Sequence, residues 1–99
     1  MEKFCEFKIH EYMDMYPEKW VRTFIAEDEE AIKKSAIRYA QDMNRNYSGG
    51  TTTFIKVMSK EEAKAHIDSL IAKEKKHWQD DSQEFIDNIT KLFNKCYDV

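Results

Sequence analysis

The chain has 99 residues, room for one ordinary domain. Apolar residues make up 41% and aromatics 13%, enough for a core. Two glycines and one proline exclude collagen-like, linker-like and low-complexity chains. Sixteen Lys/Arg against nineteen Asp/Glu give a net charge of −3, without the basic footprint of a tight non-specific DNA binder. No apolar run exceeds three residues, so nothing spans a bilayer, and no charged-then-apolar leader opens the chain. The expectation is a single compact domain over residues 1–99 in the cytoplasm. Cys5 and Cys96 are too few for a disulfide scaffold and form no CxxC. Buried apolar thiols are expected, with a terminal staple as the alternative.

Residues 3–16 alternate. Cys5, Phe7, Ile9, Met13 and Met15 fall on one face, broken by Glu11, and Glu6, Lys8, His10 and Asp14 fall on the other. This predicts a half-buried strand with a bulge or register change at Glu11. Tyr16-Pro17-Glu18-Lys19 reads as a turn, and residues 20–26, aromatic and β-branched, as the returning antiparallel strand. Glu27-Asp28-Glu29-Glu30 opens a helix, with acidic groups at the positive end of its dipole. Its apolar stripe is Ile32, Ala36, Tyr39, Ala40, Met43 and Tyr47. Ser48-Gly49-Gly50 is expected to stop it through a left-handed glycine cap, and residues 51–58 read as a third strand.

Ser59 and Glu62 fit a capping box opening a second helix to about His77, with Ala63, Ile67, Leu70, Ile71 and Trp78 as its stripe. Asp80, Asp81 and Ser82 break and recap the chain. A last helix buries Phe85, Ile89, Leu92, Phe93 and Cys96. The predicted fold is α+β in the order ββαβαα: a small three-stranded sheet, built of the N-terminal hairpin plus one strand, with three amphipathic helices packed on one face.

No phosphate cradle, HExxH, zinc spacing or GxSxG elbow is present, and no cofactor or metal is expected. Ser48-Gly49-Gly50-Thr51 resembles a phosphate turn, but it follows a helix instead of starting one. His66 and His77 lie three turns apart, too far to share an ion. Glu74 stands within the second helix's stripe, one turn before Trp78. With His10 it is the residue an acid/base enzyme would use. The basic run from Lys73 to His77 is accounted for by the negative end of its helix.

Two surfaces suit recognition. On the first helix Lys34, Arg38, Gln41 and Arg45 form a row at i, i+4, i+7 and i+11, beside Ile37. Lys33 and Lys56 would reinforce it if the third strand ends nearby. On the hairpin's open face stand Phe4, Glu6, Lys8, His10, Tyr12 and Tyr16, where tyrosines suit protein contact. From these, Lys34, Arg38, Gln41, Arg45, His10 and Tyr12 are selected as partner-binding residues. The function expected is that of a small binding protein, a protein–protein regulator or inhibitor of the kind phages and mobile elements encode. A nucleic-acid-binding module using the same row is the alternative, and a small acid/base enzyme ranks third. A bare sheet edge would also admit a homodimer.

Overall fold

The computed structural model describes residues 1–13, 16–77 and 82–97, leaving aside the side chains of Lys76, His77 and Ser82. β1 (Glu2–Glu11) and β2 (Glu18–Ile25) pair antiparallel, with Phe7 opposite Trp20 and Cys5 opposite Arg22. The open end of this hairpin is closed by two reciprocal bonds. The Met1 amino group donates to the Ala26 carbonyl, and the Ala26 N–H to the Met1 carbonyl, both at 2.9 Å. β3 (Gly50–Val57) lies antiparallel along the other side of β1, giving the order β2-β1-β3. With α1 (Glu29–Asn46), α2 (Lys60–His77) and α3 (Ser82–Tyr97) the element order is ββαβαα, an α+β fold as expected from the sequence.

β1 stops at Glu11, short of the expected end at Tyr16. Tyr12 and Met13 already belong to the turn, and Met13 is 96% exposed. Alternation alone does not separate a strand from an apolar residue at an exposed tip. The expected positions of Asp14 and Met15 lie outside the described residues. β2 begins at Glu18, immediately after Pro17. The irregularity predicted at Glu11 lies elsewhere: Glu6 pairs with Lys56 and Phe7 with Phe54, so Ile55 is the extra residue of a bulge in β3.

Asp28 caps α1, its carboxylate accepting from the Ala31 N–H at 2.8 Å. Ile32, Ala36 and Ala40 follow at one-turn spacing and bury against Cys5 and Phe7. Phe7 is the hub. It stacks on Trp20 at 4.8 Å between centroids and meets the edges of Tyr39 and Phe54 at 5.5 and 5.8 Å. Burying one such ring contributes about 2–3 kcal/mol. The helix ends at Asn46 with Tyr47 extended (φ −136°), and no described glycine has positive φ. The expected left-handed glycine cap is therefore replaced by an extended exit. Its glycines serve close approach instead. The Tyr47 ring lies over Gly49, where a Cβ would stand 2.6 Å from the hydroxyl. A Cβ on Gly50 would stand 2.8 Å from the His10 carbonyl oxygen.

The described chain divides into two compact units, Met1–Met58 and Ser59–Val99. In the second, the predicted capping box is present: Glu62 N–H donates to Ser59 Oγ at 3.2 Å and Ser59 N–H to Glu62 Oε1 at 3.0 Å. α2 and α3 pack together. Ala63, Ile67, Phe93 and Cys96 are buried, and Leu70, Ile71, Phe85, Ile89 and Leu92 half-buried, which matches the predicted stripes. Trp78, Asp80 and Asp81 lie outside the described residues. Among the described residues no helix is long and apolar enough to cross a membrane.

Candidate functional site

The two faces of the sheet differ. One carries Cys5, Phe7, Trp20, Phe24, Phe54 and Val57 and is covered by α1. Strand pairing puts Lys8, His10, Lys19, Thr51 and Thr53 on the other face, where all five are exposed. Glu6, also on that face, is half-buried and meets Lys19 Nζ at 3.7 Å. Phe4 shares the face but is buried, so the predicted open face is open only towards the hairpin turn.

On α1, Lys34, Arg38, Gln41 and Arg45 are all exposed. They stand about half a turn round the helix from Ile32, Ala36 and Ala40, so the row points directly away from the sheet. Arg45 reaches Asp42 at 3.7 Å, a pair worth only tenths of a kcal/mol at the surface. His10 sits on the opposite side of the sheet, beyond the layer that α1 covers. Tyr12 lies in the hairpin turn, 70% exposed, its N–H donating to the Gly49 carbonyl at 3.0 Å. The six residues selected from sequence thus fall into two groups, a helical row and a hairpin end. Helix and sheet stand between His10 and the row.

Lys33 and Lys56 do meet, but not beside the row. They line an open groove of about 350 Å³ with Glu29, Glu30, Phe54, Ile55 and Val57, where α1 begins beside β3. Two carboxylates face two lysines there, so the groove adds no net positive charge to the row. Exposed apolar residues gather instead at the hairpin end: Tyr12, Met13 and Tyr16, with Tyr47 beside Gly49, whose carbonyl accepts from the Tyr12 N–H. Tyr12 stands out in the sequence as an open-face residue, whereas the alternation puts Met13 on the half-buried face of β1, and the structure leaves it in solvent at the tip. The proline-marked reversal after Tyr16 was the signal that the tip lay near.

Cys5 is fully buried under α1, and burial, reinforced by the nearby Glu29 carboxylate, pushes its thiol up from 9.0 to about 11. It is a core group and not a nucleophile. Cys96 is also buried and no disulfide joins the two. His10 and Glu74, the residues of the enzyme reading, belong to different units. Among the described residues no three His, Cys, Asp or Glu side chains converge in an arrangement that would hold a metal ion. No protein-family model, no curated protein and no solved structure matches the chain.

Proposed function

We propose that this protein acts by binding another protein, as its regulator or inhibitor, and that the outer face of α1 grips an acidic surface of that partner. The observation that carries the reading is the row itself. Lys34, Arg38, Gln41 and Arg45 project into solvent from one helix, which Asp28 caps at its N-terminus. Among the described residues no ion pair engages Lys34 or Arg38, so both remain available to an incoming carboxylate. Pre-placed charges of this kind raise the rate of encounter and fix orientation. The acidic neighbours favour a protein over a phosphate backbone. Glu30 stands one turn before Lys34, and Asp42 already engages Arg45, so a polyanion laid along the helix meets both.

The test is a triple reversal, Lys34→Glu with Arg38→Glu and Arg45→Glu. All three residues are exposed, so the circular dichroism spectrum should not change. Loss of a partner that the wild-type chain captures from its host supports the reading. Undiminished capture by the folded triple variant removes α1 from it. Retardation of duplex DNA at low salt, falling by nearly one log unit per log of salt for each phosphate contacted, would transfer the row to the nucleic-acid alternative.

A further inference from the structure

The two edges of the sheet are unlike. β3 is blocked twice. The Asn44 side chain of α1 clamps its backbone at Thr52, accepting from the Thr52 N–H at 2.6 Å and donating to the Thr52 carbonyl at 2.8 Å. The bulge at Ile55 then breaks the regular spacing of the remainder. Both are devices that stop a further strand from adding. β2 has neither. It runs eight residues in unbroken register with β1, and its only neighbouring proline lies outside it. The Met1–Ala26 bonds fix the phase of the ladder. Alternation then turns the N–H and C=O groups of Lys19, Val21, Thr23 and Ile25 outward. Among the described residues nothing accepts or donates to them. Ile25 is 69% exposed, a large apolar side chain on a bare edge.

We propose that β2 pairs antiparallel with β2 of a second copy of this chain, joining two three-stranded sheets into one of six strands. The sequence of the edge selects the register. Centring the two-fold axis on Arg22 sets two guanidinium groups opposite each other. Centring it on Val21 sets Ile25 opposite Pro17, which has no N–H to give. With the axis at Thr23, Val21 of each copy faces Ile25 of the other on the same side of the sheet, and Lys19 of each approaches Glu27 of the other. This register covers the exposed isoleucine twice and pairs opposite charges twice. Three residue pairs then exchange about six backbone hydrogen bonds. Because the β3 edges are blocked, pairing stops at two copies and gives a closed dimer, not a fibre. The pairing leaves the outer face of α1 untouched and stands independently of the function proposed for it.

Sedimentation equilibrium across a wide concentration range tests the proposal. The wild-type chain is expected to dimerise. Thr23→Lys sets like charges on the axis, and Ile25→Lys removes the apolar pair at a position too exposed to disturb folding. Each should weaken the dimer by about tenfold or more. Thr23→Cys should cross-link to its own copy on oxidation, whereas Lys8→Cys, on the interior strand, should not. A wild-type chain that remains monomeric at the highest concentration overturns the proposal. So does a dimer that Ile25→Lys leaves intact and Thr23→Cys fails to cross-link.

Discussion

Replacing Asn44 by Ala removes the clamp on β3, and the structure sets the size of the effect. Two hydrogen bonds are lost, at 2.6 and 2.8 Å, and each contributes about 1 kcal/mol net. Thr52 is 4% exposed, so water reaches its orphaned amide and carbonyl poorly, which raises the total to about 2–3 kcal/mol. For a unit of this size that corresponds to a fall in Tm of about 10–20 °C. Urea unfolding followed by far-ultraviolet circular dichroism reads it as a lower midpoint at unchanged slope. Asn44→Asp is the sharper variant. Its carboxylate still accepts from the Thr52 N–H but confronts the Thr52 carbonyl with a second acceptor. The loss at neutral pH should match or exceed that of Asn44→Ala, and should shrink as acid restores a proton that can be donated. Freed of its clamp, β3 also becomes available to other chains, so the alanine variant should form species larger than the wild type at high concentration. A stability loss below about 0.5 kcal/mol in Asn44→Ala would refute the reasoning, because the side chain would then not be satisfying the strand.

Two further outcomes are expected. The raised thiol of Cys5 keeps the folded state protonated, while the unfolded chain ionises through its ordinary value of 9.0. This contribution to stability is therefore complete below pH 9 and is lost as the pH rises towards 11. Cys5→Ala should show a shallower decline over that interval, and parallel alkaline limbs in thermal melts of the two proteins would contradict the assignment. Gly50→Ala brings a methyl group to 2.8 Å from the His10 carbonyl and 3.0 Å from the Glu11 Cα, both backbone. It should cost about 1–3 kcal/mol by prising β3 from β1, measured by urea unfolding. Wild-type stability would mean that the strands part there without strain.

The helices were the most legible part of the sequence because their signals are local. Ile32, Ala36 and Ala40 repeat at the helical period, Asp28 caps its own helix, and Ser59 with Glu62 closes a reciprocal box within four residues. The strand ends were less so. Met13 continues the alternation of β1 yet stands in solvent, because period two describes side-chain direction and not whether a partner strand is present. The bulge at Ile55 and the clamp from Asn44 left no mark, since both depend on which edge of the sheet α1 overlies. The basic row was readable as a helix face. Its distance from His10 was also implicit in the sequence: the helix must cover the Phe7 face, and His10 alternates onto the other one.

The chain buries one thiol in each of its two units, Cys5 in the first and Cys96 in the second. Alkylation needs a thiolate that reagent can reach, so neither reacts until its own surroundings open. Pulsed labelling followed by mass spectrometry of the digested chain therefore yields two independent clocks from the unmodified protein. Equal rates at every denaturant concentration would mean that both halves come apart in one event; divergent rates would identify the half that yields first.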